Sequence, residues 1–279
     1  MLRESGSWLD FHPVPRLRIL PPKLSRHGAV LQFLNMASPD RKVALVTGGA
    51  VRVGRALSLG LAEAGYDVAV HYYSSSKAAQ EVVRRIGEMG RRGVLVEGDM
   101  GDPARVEAIA ATVRERCGRL DLLVNNASSF EHADLLDVNA DAWDRVMNVN
   151  LRGPFLLVRE SAALLKENQG AVVNILDLGA FEPWTHRPHH AVSKAALLHL
   201  TKILARVLAP DVRVNAIAPG AVLMPENSDA ADSERARRRT PLGHLGSPED
   251  VLRAVLFLVA SPFITGEVLV VDGGRSLDD

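Results

Sequence analysis

The apolar run Val43-Ala-Leu-Val-Thr47 ends in Gly48-Gly49, and Gly54 follows five residues later. Glycines in that position let backbone approach a pyrophosphate, whose charge is met by amides at the start of a following helix. A tight strand-to-helix connection would also use glycine, so context decides between the two uses. A second feature is the basic run Arg235, Arg237, Arg238 and Arg239. It reads as a solvated helix face, or as a set of cations for an anionic ligand. His186, His189 and His190 lie close in sequence, yet with Asp177 their spacing fits no standard zinc pattern, and no metal site is expected. Cys117 is the single cysteine, which excludes a disulfide framework and a multi-cysteine metal site and suits a reducing compartment.

The elements that would position these groups alternate regularly. Strands are expected at 43–47, 68–70, 94–97, 120–124, 171–176, 212–217 and 268–271. Helices are expected near 54–64, 77–89, 103–116, from beyond 127 to about 166, 193–208 and 248–260. Seven strands separated by helices imply a parallel sheet covered on both faces, with ligands beyond the carboxyl ends of the strands. The chain has 279 residues, 33 Lys+Arg against 33 Asp+Glu, 47% hydrophobic and 24% charged residues. That is ordinary globular usage and enough for one large α/β domain. Charge balance removes the bulk case for nucleic acid or an acidic membrane. No apolar run approaches the ~18 residues of a membrane-spanning helix, and a cytoplasmic protein with a small-molecule substrate is expected.

Residues 1–35 differ from the rest. Arg3, Arg16, Arg18, Lys23 and Arg26 face only Glu4 and Asp10, and four prolines interrupt any helix. The stretch resembles a transit peptide in charge alone and lacks the apolar core and cleavage site of a secretory signal. Residues 1–40 are read as a disordered extension, with Met36 as a possible start, and residues 41–279 as the folded domain.

The ordered motifs resemble the short-chain dehydrogenase/reductase family over roughly residues 42–274. They are Thr47-Gly48 through Gly54, Asp99, Asn125-Asn126-Ala127, Asn150, Lys194, Pro219-Gly220 and the tail ending at Gly274. The resemblance implies a single Rossmann-type, doubly wound domain with a seven-stranded parallel sheet. It implies dinucleotide contacts from Thr47, Gly48, Arg52, Val53, Gly54, Asp99, Met100, Asn126, Ala127, Lys194, Pro219 and Gly220. It also makes a homodimer or homotetramer plausible. Arg52 replaces the family's central glycine, as in the pteridine reductase branch, where a histidine at the second strand's end and the next loop bind the 2′-phosphate of NADPH. The matching residues are His71, Ser74 and Ser75. An NAD site wants a carboxylate near that strand end, and none occurs from Val70 to Lys77. NADPH is therefore the expected cofactor, with Arg52, the serines and Lys77 as phosphate partners.

The family's Tyr-x-x-x-Lys pair is here His190-Ala-Val-Ser-Lys194, so histidine stands in place of tyrosine. Asp177 lies thirteen residues earlier, where the family usually has serine and the pteridine reductase branch has aspartate. The resemblance assigns proton handling to Asp177 and His190, ribose binding to Lys194 and a water relay to Asn150. Ser128 and Phe130 would contact substrate, Phe130 by stacking on a flat ring. Imidazole titrates near 6.5 against ~10 for tyrosine. Lys194 would disfavour imidazolium and an ionised Asp177 would favour it. Three outcomes stay open: a slower reductase, one with altered pH dependence, or a cofactor binder without turnover. The expected function is NADPH-dependent reduction of a pterin, dihydropterin or similar small cyclic substrate. The alternatives are a 3-oxoacyl-type carbonyl reductase and a catalytically weakened dinucleotide-binding protein.

Overall fold

Short, mostly apolar strands demand cover on both faces, and the architecture supplies it. The computed structural model describes residues 41–224 and 228–277. Seven strands form one sheet: β1 (Val43–Val46), β2 (Asp67–Tyr72), β3 (Gly93–Glu97), β4 (Leu122–Asn125), β5 (Ala171–Ile175), β6 (Arg213–Pro219) and β7 (Val268–Val271). Every pairing is parallel and the order is β3-β2-β1-β4-β5-β6-β7. This is the expected doubly wound sheet. Its order reverses between β1 and β4, which leaves a crevice at their carboxyl ends.

Between the strands run α1 (Arg52–Glu63), α2 (Ser76–Glu88), α3 (Pro103–Cys117), α4 (Ala140–Met147), α5 (Gly153–Glu167), α6 (Pro188–Leu208), α7 (Ala230–Arg238) and α8 (Pro248–Ala260). One core cluster unites Val43, Leu45, Ala69, Val94 and Val172 of the sheet with Ile109 of α3, Leu157 of α5 and Ala205 of α6. Capping accounts for several boundaries: the Asp102 side chain accepts from the Ala104 amide at 2.9 Å, and Pro103 occupies the first turn of α3. Ser247 and Asp250 form a capping box on α8.

Three differences from the sequence expectation bear on the site. First, α6 starts at Pro188, five residues before the expected Ser193, so His190 falls in its opening turn. A proline at the first helical position pre-sets φ and starts the helix there. Second, the long helix ending near Lys166 is α4 and α5 joined by a π-helical turn, Asn148–Arg152. Pro154 has no N–H for the Asn150 carbonyl, and the Gly153 amide bonds back to Asn148. A Cβ at Gly153 would lie 2.4 Å from the Met100 carbonyl oxygen, so only glycine fits that crossing. Third, the basic run builds a helix of its own, α7, closed by an Asp229–Asp232 capping box. The expectations for residues 1–40, including the Met36 start, lie outside the described residues. Among the described residues no helix is long and apolar enough to cross a membrane.

Candidate active site

The glycine turn is locked from beneath. Thr47 Oγ1 accepts from the amides of Asn126 and Ala127 at 2.8 and 2.9 Å, and Asn126 Nδ2 donates to the Thr47 carbonyl at 2.9 Å. These bonds bind the β1 and β4 loops to each other. Thr47 and Asn126 thus shape the cradle, whereas Ala127 lines it. Gly48 takes φ 61°, and a Cβ on Gly54 would sit 2.0 Å from the Gly48 oxygen. The start of α1 therefore abuts the turn. Its N-cap, Val51, contributes no side-chain bond, so first-turn amides remain for an anion. Val53 is half-buried in that turn.

Two expected phosphate ligands have other work. The His71 ring is buried at 1% exposure; its Nδ1 accepts from the Gly48 amide at 3.0 Å, and its Nε2 donates to the Gly98 carbonyl at 3.0 Å. Burial pushes its pKa down to about 4, so it is a neutral clasp between the glycine turn and the end of β3. Both nitrogens are engaged, which corrects the expectation of a phosphate-binding histidine. Arg52, at φ 51°, reaches away from Ser74 and Ser75 and donates to the carbonyls of Leu223 and Met224 at 3.4 and 3.2 Å. Its guanidinium therefore serves the far side of the crevice.

A cavity of about 580 Å³ opens beside the turn. Gly48, Ser74, Ser75, Asp99, Met100 and Ala127 line it, as expected for the cofactor, and Ser128, expected at the substrate, lines this cavity too and not the second one. Asp99 Oδ1 accepts from the Gly101 amide at 2.7 Å. Ser75 N-caps α2 without a side-chain bond, which leaves its hydroxyl and the α2 amides open to the cavity end. Lys77, in the first turn of α2, is exposed. These residues fit a dinucleotide.

At the carboxyl end of β5 the reacting groups meet. The π-helical turn delivers buried Asn150 to the loop after β4 and to α6: its Oδ1 accepts from the Ser129 amide at 2.7 Å and the Ser128 hydroxyl at 3.2 Å, and its Nδ2 donates to the Ser129 carbonyl and Ser193 Oγ, both at 3.0 Å. His190 Nδ1 lies 2.9 Å from the Ser129 carbonyl and Nε2 lies 2.6 Å from Asp177 Oδ2. Nδ1 also lies 3.3 Å from Asn150 Nδ2, so it donates to Ser129 in one tautomer and accepts from Asn150 in the other, and in either case a proton lies in the 2.6 Å contact with Asp177. Burial acts to raise the Asp177 pKa, but the His190 bond and the nearby Lys194 outweigh it and hold the carboxyl below its usual range. Lys194 Nζ donates to the Ile175 carbonyl at 2.8 Å, and burial lowers its pKa against the pull of Asp177.

Comparison with known proteins fits this geometry. The family profile described as enoyl-(acyl carrier protein) reductase matches residues 49–276. The chain belongs to the short-chain dehydrogenase/reductase family. Among short-chain relatives, the L-rhamnose 1-dehydrogenase (NAD(P)(+)) of Sphingomonas sp. is 34% identical over 244 residues, 84% of this chain and 96% of that one. The 3-oxoacyl-(acyl-carrier-protein) reductase of Synechocystis sp. is 34% identical, covering 86% and 98% of the two chains. The solved acetoin dehydrogenase from Enterobacter cloacae superposes with a TM-score of 0.80 at 32% identity, covering 87% of this chain and 98% of that one. The protein is thus an oxidoreductase by family and adopts the short-chain fold. Those names span sugar, acyl and acetoin chemistry, so the substrate must be read from the site.

In this short-chain protein a second cavity, of about 810 Å³, lies beside Asp177. Asp177, Phe130, Pro219 and Gly220 line it, and His190 does not. The Asp177 side chain is 22% exposed against 2% for His190, so the carboxyl faces the substrate space and the imidazole stands behind it. Phe130 meets His190 edge-on with centroids 4.7 Å apart, and Arg187 covers one ring face at 4.3 Å. Only the other face remains for stacking. Sequence reasoning missed Trp184, whose ring lies parallel to His190 at 6.1 Å, and the Ser129 carbonyl that fixes the imidazole. It also missed Arg187 and Arg275. None of these four carries a local pattern, since each acts through contacts with distant segments. His186 turns to Asp134 at 2.9 Å, and among the described residues no three potential ligands gather as a metal site.

Proposed function

We propose that the protein is an NADPH-dependent reductase of a small cyclic substrate, a pterin or dihydropterin being the best fit. The carrying observation is the Asp177–His190 pair, one proton in a 2.6 Å contact, with Asp177 in the wall of a cavity that also holds Phe130 and Trp184. NADPH supplies a hydride when bound. The chain supplies the matching proton: with His190 Nδ1 protonated toward Ser129, the single proton of the contact passes through Asp177 to the substrate double bond, leaving Asp177 ionised and the imidazole neutral, and water restores it. One hydride and one proton together saturate the bond. Asn150 and the Ser129 carbonyl hold the imidazole in register, and the family resemblance assigns Lys194 to the ribose. The Phe130 ring face not covered by Arg187 suits a flat ring. Preference for the phosphorylated dinucleotide rests on the acid-free stretch Val70–Lys77, the free Ser75 hydroxyl, the α2 amides and Lys77.

A second reading, reduction of a carbonyl such as a 3-oxoacyl group, is favoured by a relative named as a 3-oxoacyl-(acyl-carrier-protein) reductase. Titration with NADPH and NADH, followed by NADPH absorbance with dihydropterin, quinonoid dihydropterin and 3-oxoacyl substrates, separates the readings. Tighter NADPH binding with turnover on a pterin is the expected result. Turnover confined to 3-oxoacyl substrates supports the second reading. Tight binding with no turnover on any of them overturns both.

A further inference from the structure

The second cavity concentrates positive charge beyond what proton and hydride transfer require. Arg187, Arg235, Arg239 and Arg275 share its wall, in addition to Arg52 at the turn. The two carboxylates there are already engaged: Asp177 with His190, and Asp232 with Arg235 at 3.5 Å. Among the described residues Arg187, Arg239 and Arg275 meet no carboxylate.

Helix geometry sorts the basic run. Arg235 and Arg239 are four residues apart, fall on one face at the end of α7 and line the cavity. Arg237 and Arg238 instead pair with Glu234 at 2.9 and 3.2 Å and are absent from the wall. All four side chains are exposed, so the solvated-face expectation holds, and two of them also border the cavity. Arg187, from just before α6, and Arg275, from beyond β7, come from unrelated segments to the same space. Like charges converging from three parts of the chain repel each other unless an anion joins them. Guanidinium groups are suited to that task because their donor forks match phosphate and carboxylate. Arg187 is held in place over the Phe130 ring, so an apolar platform and an anion-binding group lie side by side.

We propose that this cavity selects a small substrate bearing at least two negative charges, as phosphate or carboxylate groups. Its reducible bond lies at Asp177, and its anionic end meets Arg187, Arg235, Arg239 and Arg275. The inference rests on the reductase reading and narrows its small cyclic substrate to one carrying those charges, which an unsubstituted pterin does not. The test is calorimetry on the full-length protein saturated with NADP+, using glycerol 3-phosphate, tricarballylate and neutral glycerol as probes. At least one anion should bind while glycerol does not, and the anion that binds tells phosphate from carboxylate. The double variant Arg235→Gln/Arg239→Gln, with its fold checked by circular dichroism and its NADP+ affinity measured in parallel, should weaken anion binding tenfold or more. Failure of both anions to bind the NADP+-saturated protein, or equal anion affinity in the double variant, overturns the anion site alone. Arginine-dependent anion binding by a protein that ignores NADP+ sustains the anion site and removes the reductase reading.

Discussion

Acidification should weaken the clasp under the dinucleotide turn before it affects most of the fold. His71 is neutral in the folded protein, with its pKa pushed down to about 4, whereas an unfolded chain returns it to about 6.5. Between those values the unfolded state binds more protons, so stability rises with pH. The contribution is complete above about pH 6.5 and is lost as pH falls toward 4. At 1.36 kcal/mol per unit, the group accounts for about 2.5 kcal/mol of lost stability between pH 7.5 and 4.5. Urea denaturation of wild type and His71→Gln across that range isolates the effect. The glutamine keeps a donor and an acceptor on the side chain and removes the titration. Wild type should lose about 2.5 kcal/mol more than the variant on acidification. Parallel stability curves for the two proteins would refute the account of His71 as a buried neutral bridge between Gly48 and Gly98.

Two further outcomes follow from the same geometry. His190→Phe leaves Asp177 without its proton source and should lower turnover by ~10²–10⁴, while His190→Tyr should retain or raise it; an unchanged rate and pH profile in His190→Phe removes the residue from proton transfer. Arg52→Gly relieves a left-handed backbone (about 1–2 kcal/mol) against an entropic loss of about 0.4–1 kcal/mol, so urea denaturation should show a gain of about 0.5–1 kcal/mol, and a loss would mean the Leu223 and Met224 bonds outweigh the strain.

The alternation of apolar runs with helical segments was legible because each element is local. Val43–Val46 is wholly buried and reads as such, and Asp102-Pro103 announces a helix start. The crevice and the glycine turn were recoverable from residue type and order, and the neighbourhood of Asp177, His190 and Lys194 from the family resemblance. The start of α6 at Pro188 was legible in principle, since a proline after an arginine in a loop is a start signal. The π-helical turn was not: it depends on Gly153, where a Cβ would lie 2.4 Å from the Met100 carbonyl oxygen, a contact across 53 residues.

Side-chain direction between distant segments belonged to the tertiary structure alone. Sequence put Arg52 and His71 together at a phosphate; packing turned Arg52 toward residues 223–224 and buried the His71 ring on two backbone groups. Sequence set Asp177 and His190 side by side as equals, and only the fold decided that the carboxyl faces the cavity with the imidazole behind it. A run of four arginines looks uniform as text, yet helical pitch sends two of them into the cavity and two to Glu234. Composition and periodicity determine which elements form, because those energies are set within a few residues. Which polar atom meets which is set by close packing between segments far apart in the chain, and no local pattern records it.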